Sequence, residues 1–289
     1  MTLTPGKLTI SIVLYNNDPI HLEQLCNSLI NNTIHTDIYF FDNSPTDALS
    51  QCINAYKVFH YRWSNKNVGY GRGHNSIINE TLATGDYHLA MNADIFFKEG
   101  TLEKIITFMD QKEDVGLLLP RVLNPDGSEQ PLYKLLPEPQ DLFIRRFAPG
   151  VFKRFFEKKL QNYRMSFADE QSTFDAPYLS GCFMFLRKEA VRQAGAFDPR
   201  FFMYCEDVDL SRRVRQNWRT TYFAEASIYH YFYKGSYREP RLLYYHVVSA
   251  IKYFNKHGWF HDPQREKINS ETLRGFASNK KAIPFSQAK

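Results

Sequence analysis

Three acidic residues crowd the first turn of a helix predicted late in the chain, and their chemistry is that of a general base. Glu206, Asp207 and Asp209 stand just ahead of an apolar stripe. A capped surface helix would also place acids here, since exposed N–H groups and the helix dipole favour negative charge. Aromatic residues at 201–204 favour the other interpretation, because a carboxylate partly shielded from water is the usual general base. We therefore predict a pocket wall at 201–204, with Glu206 and Asp207 at its rim.

Polar residues also follow apolar runs that are typical of buried strands. Tyr15 ends the run at 7–15, Asp42 follows a second run, and Asn92 and Asp94 follow a third. Strand, helix and strand in this order predict a parallel unit, in which ligands bind beyond the carboxyl ends of the strands. Asp94 could hold Mg²⁺ or Mn²⁺ against a diphosphate, since hard cations prefer oxygen ligands. The alternatives are a helix cap at Asp94 and a simple turn at Asp42.

A glycine-rich segment at 65–76 leads into a predicted helix. Its backbone N–H groups could approach a phosphate, although such a segment is more often a plain turn. It matches neither the P-loop nor the dinucleotide-binding fingerprint. Within it, Arg72 could reach phosphate, and Asn75 could hydrogen-bond a nucleotide or brace the loop.

Composition limits the classes of protein to consider. With 289 residues, 43% of them hydrophobic, the chain suits one large α/β domain or one domain with an appendage. No apolar run is long enough for a membrane span, and residues 1–7 lack the apolar core of a signal peptide, so we expect a cytoplasmic protein. The four cysteines have no paired spacing, which argues against a disulfide framework or a zinc site. A net charge of +5 fits phosphate-bearing substrates or an anionic membrane.

Two later segments are less regular. Residues 131–175 contain several prolines and then interleave aromatic with basic residues. We interpret this stretch as a helical lid, with contact to a membrane or a lipid-linked acceptor as the alternative. We expect no nucleic-acid binding, since no recognised module accompanies the charge. The helix predicted at 241–254 has broad apolar coverage, and from residue 264 the chain turns polar, which predicts a loose tail.

In this order the motifs resemble family 2 glycosyltransferases, nearest to a bacterial rhamnosyltransferase-like branch. The resemblance covers about 7–255 and is carried by Asp42, the glycine-rich segment, Asn92-Ala-Asp94, Ser180-Gly181, Glu206-Asp207 and His230. It implies a GT-A fold, with a Rossmann-like, mostly parallel central sheet flanked by helices and a helical C-terminal extension. The implied division is a domain at 1–255, with 131–175 as a lid or acceptor-side insertion, and a polar tail at 256–289.

The resemblance also implies a role for each matching residue. Asp207 would be the catalytic base and Glu206 would position the acceptor. In the family the aspartate of the second strand binds the nucleobase, and a carboxylate can accept the N3–H of uracil or thymine. Asn92 stands where the family has a first aspartate, and it is a weaker metal ligand. The implied sets are Tyr15, Asp42, Arg72, Asn75 and Asn92 for the nucleotide; Ser180, Gly181 and Tyr204 for the sugars; His230, Lys234 and Arg238 for the diphosphate; and Asp94 with His230 for Mg²⁺ or Mn²⁺.

The activity implied is that of an inverting glycosyltransferase using a nucleoside-diphosphate sugar. dTDP-rhamnose is the favoured donor, and UDP-sugars stay open. The acceptor would be a growing surface polysaccharide, such as O-antigen, or a lipid-linked glycan, with the enzyme at the inner face of the cytoplasmic membrane. Asn92 keeps a noncatalytic nucleotide-sugar or glycan-binding protein open, whereas the intact Glu206-Asp207 pair speaks against it. A sugar-nucleotide pyrophosphorylase would need a glycine-rich loop with Arg and Lys after the first strand. This chain has Tyr15-Asn-Asn-Asp there, which argues against that class of enzyme.

Overall fold

A computed structural model describes residues 7–147, 154–231 and 239–282. Their helices and strands, numbered in chain order, are β1 Leu8–Leu14, α1 Pro19–Ile30, β2 Thr36–Asp42, α2 Ser50–Asn54, β3 Phe59–Trp63, α3 Tyr70–Thr81, β4 Tyr87–Met91, β5 Ile95–Phe97, α4 Thr101–Gln111, β6 Val115–Leu123, β7 Tyr133–Lys134, α5 Pro139–Phe147, α6 Glu157–Tyr163, β8 Phe174–Asp175, β9 Tyr178–Leu179, β10 Phe183–Arg187, α7 Lys188–Ala194, α8 Glu206–Val214, β11 Arg219–His230, α9 Pro240–His257 and α10 Pro263–Ala282.

A central sheet with the order β3-β2-β1-β4-β10-β6-β11-β5 organises the protein. Strands β3, β2, β1 and β4 run parallel, as do β6 and β11, while β10 lies antiparallel between β4 and β6. Strand β1 is buried at every position but one, because a parallel sheet is covered by helices on both faces and its strands are apolar throughout. The predicted α/β sheet is confirmed.

The register of the sheet brings the predicted strand-end residues to one edge. Leu14 pairs with Asp42, so Tyr15 and Asp42 lie beyond neighbouring strands. On the other side of β1, strand β4 ends just before Asn92 and Asp94. The long strand β11, predicted only at 220–223, continues to His230, which pairs with Ile95. A residue more than a hundred positions away thereby reaches the neighbourhood of Asp94.

Residues 263–282, which were predicted to belong to a loose C-terminal tail, form helix α10. Helix α10 packs on the insertion: Phe276 contacts Phe167 and Phe174 through ring centroids 5.1 and 5.2 Å apart. The Asn269 amide exchanges two 2.9 Å hydrogen bonds with the backbone of Leu136. Ile268, Thr272 and Phe276 are spaced as on one face of a helix. This pattern was hard to see because most residues of the segment are polar. The tail and the insertion thus stabilise each other.

A buried polar cluster beneath the sheet predicts sensitivity to mild acid. The Ser11 hydroxyl lies 2.7 Å from His74 Nδ1 and 2.8 Å from His88 Nε2. Burial lowers the pKa of His74 to about 3 and, together with the charges of His74 and Lys188, lowers that of His88 well below its usual range.

Because both folded-state pKa values lie below the unfolded value, these histidines contribute stability that is fully present above about pH 6.5 and is lost as the pH falls toward 3. Other groups titrate in this range too, so the test compares the wild type with His74→Gln, whose side chain can still bond Ser11. We expect the free energy of unfolding, measured by urea denaturation between pH 6.5 and 5, to fall more steeply in the wild type, by up to about 1.4 kcal/mol per pH unit. Parallel pH profiles would contradict this.

Candidate active site

Helix α8 begins from a strained loop. Tyr204 and Cys205, immediately before it, have φ angles of 70° and 62°, in the left-handed region that non-glycine residues seldom occupy. Such strain costs free energy and persists only where the surroundings hold it. Here Cys205 is buried in a small apolar cluster, and the Tyr204 ring packs edge-on against His246 at 5.2 Å. The loop therefore fixes the direction from which Glu206 and Asp207 enter the helix.

The Asp207 carboxylate is held on both oxygens. Oδ2 accepts hydrogen bonds from the Gly181 N–H and the Tyr178 hydroxyl, each at 2.9 Å, and Oδ1 accepts one from the Val208 N–H at 2.9 Å. A Cβ at position 181 would lie 3.0 Å from Asp207 Cβ, so only glycine allows this approach. The predicted neighbours Ser180-Gly181 and Asp207 are therefore brought together. These donors hold the carboxylate in one orientation.

Glu206 has a different environment. Its side chain is buried under α3, where a Cβ on Gly71 would lie 3.8 Å from its own Cβ. Burial, with the charge of Asp207, raises the pKa of Glu206 to about 8, so this carboxyl is mostly protonated at neutral pH. The predicted contact between Glu206 and an acceptor stays a prediction, as does the role of Asp207 as the base.

The third acid of the helix is structural. Asp209 is fully buried and accepts from Arg213, Lys256 and His257 at 2.6–2.8 Å. Burial opposes its ionisation, but the His257 hydrogen bond and the two cations lower the pKa of Asp209 to about 2. Its role is to attach α8 to α9.

Asp94 faces His230 across a short gap. His230 Nε2 lies 3.4 Å from Asp94 Oδ1, a buried oxygen that makes no hydrogen bond to any described residue. Gln130 donates through Nε2 to the Asn124 side chain and the His230 carbonyl, so its Oε1 faces His230 Nδ1 at 3.1 Å. The proton of a neutral ring is then on Nδ1, and Nε2 directs a lone pair at the carboxylate.

Two hydrogen-bond acceptors as close as His230 Nε2 and Asp94 Oδ1 repel each other unless a proton or a cation lies between them. A carboxylate oxygen and an imidazole nitrogen, with the ring oriented by an amide behind it, are a fitting part of a divalent metal site. Within the described ranges no group of three or more His, Cys, Asp or Glu side chains could by itself hold a metal ion. Water and a diphosphate are oxygen ligands that hard cations accept beside protein groups. Asn92 is half-buried here, with its N–H bonded to the Cys182 carbonyl at 2.8 Å.

Tyr70 and Cys182 lie between the two acidic centres, and the motifs did not reveal them. The Tyr70 hydroxyl donates to the Gly181 carbonyl at 2.6 Å. Burial raises the pKa of Tyr70 far above its usual range, and the charges of Glu206, Asp207 and Asp94 add to this effect. The three acids therefore lie within electrostatic range of one phenol. The sequence signal for Tyr70 is its place within the glycine-rich segment.

Of the residues predicted to bind the nucleotide, Tyr15 and Asp42 lie at strand ends, whereas Arg72 and Asn75 contact a neighbouring loop. Asp42 is fully buried, accepting from the Ser44 N–H at 2.8 Å and the Tyr61 hydroxyl at 2.7 Å, whereas Tyr15 is exposed. The hydrogen bond from Ser44 forms the simple turn that was the alternative to nucleobase binding by Asp42. Contact of Asp42 and Tyr15 with a nucleobase stays a prediction.

The glycine-rich segment holds the loop at 197–202. Arg72 donates to the Pro199 carbonyl at 3.0 Å, and Asn75 exchanges hydrogen bonds of 2.7 and 3.0 Å with the backbone of Phe197. Gly69 has a φ of 92°, and a Cβ there would lie 2.3 Å from the Phe202 carbonyl oxygen. Asn75 thus braces the loop, which was the second of the two roles predicted for it. The glycines allow the two segments to pack closely. The predicted phosphate contacts Lys234 and Arg238 lie outside the described residues.

Comparison with known proteins identifies the family of the chain. Residues 9–195 match the family model "Glycosyl transferase family 2". The N-acetylglucosaminyl-diphospho-decaprenol L-rhamnosyltransferase of Mycobacterium tuberculosis is 28% identical, with 93% of this chain and 89% of that protein covered. The rhamnosyltransferase WbbL of Escherichia coli K12 is 24% identical, over 70% of this chain and 75% of that protein.

Two solved structures have the same fold. TarS 1–349 of Staphylococcus aureus gives a TM-score of 0.57 at 18% identity, covering 98% of this chain and 75% of that one. The mannosyltransferase PcManGT of Pyrobaculum calidifontis, solved with GDP-Man and Mn²⁺, gives 0.59 at 14% identity, covering 100% of this chain and 77% of that one. These neighbours confirm the GT-A fold, and the family match covers well over half of the chain. The protein therefore belongs to glycosyl transferase family 2 and is a rhamnosyltransferase-like glycosyltransferase.

Proposed function

We propose that this enzyme transfers L-rhamnose from dTDP-rhamnose to a hydroxyl of a lipid-linked glycan, with inversion at the anomeric carbon. The observation that carries the proposal is the convergence of Asp207 and the Asp94–His230 pair around Tyr70, in a chain whose relatives include an L-rhamnosyltransferase named for a diphospho-decaprenol substrate. It is tested by incubating the protein with dTDP-rhamnose and an N-acetylglucosaminyl-diphosphate lipid and identifying the product by mass spectrometry. Transfer only from a UDP-sugar would keep the reaction class and change the donor.

Asp207 has the properties that the base of this reaction needs. It takes the proton of the acceptor hydroxyl while that oxygen attacks the anomeric carbon opposite the leaving group, and the sugar passes through an oxocarbenium-like state. The Gly181 N–H and the Tyr178 hydroxyl keep the carboxylate in one orientation throughout. Protonated Glu206 adds no second negative charge beside it.

Asp94 and His230 would hold Mg²⁺ or Mn²⁺ against the donor diphosphate. A divalent ion bound there supplies positive charge to the leaving group. This chain contributes the buried Asp94 oxygen and the orientation that Gln130 gives to the ring of His230.

We expect Mn²⁺ to be required for tight donor binding and Asp94 to carry this requirement. dTDP-rhamnose with Mn²⁺ should raise the melting temperature, since a ligand at 100 times its Kd stabilises the folded state by about 2.7 kcal/mol. Asp94→Asn should abolish the metal-dependent part of the shift, while Asp126→Asn, in an exposed hairpin, should leave it intact. A shift that is equal with and without metal in the wild type would remove the metal from this site. UDP-sugars and UDP, tested in parallel, decide the donor nucleotide.

Contact with a membrane surface is the part of the proposal that concerns location. Helix α9 buries Tyr253 and Phe254 on one side, yet Tyr244 is 64% and Ile251 43% exposed on the other, and Phe260 beyond its end is 90% exposed. Arg241 and Lys252 flank this exposed stripe. Apolar residues beside cations favour an anionic bilayer surface. No helix among the described residues has the length and apolarity to cross a bilayer.

Ile251→Glu should weaken binding to vesicles. We expect the variant to lose most of its co-sedimentation with vesicles containing phosphatidylglycerol, because a carboxylate would enter the apolar interface. Ile30→Glu is the matched control, since Ile30 at the end of α1 is 45% exposed against 43% for Ile251. Equal losses in the two variants would show that α9 is not the contacting surface.

A further inference from the structure

Lys134 lies beside the proposed catalytic base on an element that the motifs did not mark. It belongs to β7, which pairs antiparallel with β9, so Lys134 is directly opposite Tyr178. The Lys134 ammonium lies 5.0 Å from the centre of the Tyr178 ring, and the hydroxyl of the same ring donates to Asp207 at 2.9 Å. The Tyr178 ring therefore contacts both the Lys134 ammonium and the Asp207 carboxylate, which is the proposed base.

The charge of Lys134 acts on the same cavity as the acids. Burial raises the pKa of the Cys182 thiol to about 12; among the charges around it, Asp94 and Asp207 add to this rise and Lys134 opposes it. The cation is therefore near enough to the centre of the site to act on a bound anion. A lysine ammonium beside an aromatic ring is a cation that attracts phosphate oxygens.

The order of contacts along residues 178–182 places Lys134 on the acceptor side. At one end Tyr178 lies against Lys134; at the other the Cys182 carbonyl accepts from the Asn92 N–H, close to the proposed diphosphate site. Asp207 is bonded between these ends, to Gly181 and Tyr178. In an inverting displacement the acceptor and the leaving group lie on opposite faces of the transferred sugar. A cation beyond the base therefore faces the acceptor.

We propose that Lys134, supported by the Tyr178 ring, binds the phosphate attached to the acceptor sugar and makes the enzyme select acceptors that carry such a phosphate. This rests on the proposed function, because it needs a sugar acceptor at Asp207. Asp207 would then set the reacting hydroxyl, and Lys134 would set the register of the acceptor. The proposal gives β7, within the insertion at 131–175, a role in substrate recognition.

The test compares two acceptors that differ only in the phosphate. One is N-acetylglucosamine linked through a diphosphate to a short alkyl chain, and the other is the neutral alkyl glycoside of the same sugar. Steady-state constants are measured for the wild type, Lys134→Met, Lys134→Gln and Lys134→Arg, with Lys104→Met on the exposed face of α4 as the control. Melting temperatures verify that each variant folds.

We expect the two uncharged variants to raise KM for the diphosphate acceptor about 10- to 100-fold, as for loss of a charged hydrogen bond, with little change in kcat. KM for the neutral acceptor and for the donor should stay the same, and Lys134→Arg should restore most of the affinity. A rise in donor KM would assign Lys134 to the donor diphosphate, and equal rises for both acceptors would make it a positioning residue; either result overturns the proposal. If the wild type uses the diphosphate acceptor and Lys134→Met has unchanged constants, the proposal fails alone. If the wild type uses neither acceptor, the proposed function fails with it.

Discussion

Asp207→Asn should lower kcat by about 10²- to 10⁴-fold while leaving donor binding intact, the range expected when a general base is removed. The substitution is nearly isosteric, and an amide oxygen can still accept from the Gly181 N–H and the Tyr178 hydroxyl, so the loop at 178–181 keeps its place. What is lost is the capacity to take a proton. Turnover under saturating donor and acceptor measures the effect, and the melting-temperature shift with dTDP-rhamnose and Mn²⁺ measures donor binding.

Asp209→Asn is the matched control, in the first turn of the same helix. Because Asp209 accepts from Arg213, Lys256 and His257 in a buried position, its substitution should lower stability and leave kcat of the folded fraction close to the wild-type value. The two variants thus separate chemistry from stability. Turnover within a few-fold of the wild type in Asp207→Asn would remove Asp207 from the role of base. Loss of donor binding in the same variant would show instead that Asp207 contacts the donor.

The positions of Asp94 and Asp207 at the ends of their elements were predictable, because local pattern marks them. Asp94 follows an apolar strand, and Asp207 lies in the first turn of an amphipathic helix behind aromatic residues. Parallel topology then requires strand ends to meet at one edge of the sheet, which places Asp94 before any contact is known. The order of the motifs added the family and the fold.

The residues around these acids were not predictable, since their roles depend on pairing between distant segments. Gln130 acts only because it meets His230, a hundred positions away, and Lys134 only because β7 pairs with β9. Arg72 shows an ambiguity that the sequence alone leaves open. An arginine in a glycine-rich segment is a reasonable phosphate ligand, but the same side chain can bond a carbonyl of a loop that folds over it, and the sequence does not say which partner is nearer.

The second large effect concerns the ion pair that fixes α8 to the C-terminal helices. Arg212 and Asp262 are each 2% exposed, and two 2.6 Å hydrogen bonds join the guanidinium to the carboxylate. Gln264 and Tyr253 contact the same guanidinium. Arg212→Met should lower the free energy of unfolding by about 3 kcal/mol, because it removes both side-chain hydrogen bonds to the buried Asp262 carboxylate and leaves only Arg265, 3.8 Å away, as a charged partner. Urea denaturation measures the change.

A surface pair provides the control for burial. Arg62 and Glu80 make a bidentate contact as well, at 2.6 and 2.9 Å, but both side chains are about half exposed. Arg62→Met should change stability by no more than about 1 kcal/mol, since water solvates the remaining carboxylate. The double variant Arg212→Met/Asp262→Leu should recover only part of the loss, because the buried Arg265 guanidinium then loses the Asp262 carboxylate. Equal effects of Arg62→Met and Arg212→Met would mean that the Asp262 carboxylate reaches solvent, and the attachment of α8 would then rest on Asp209 and its three partners.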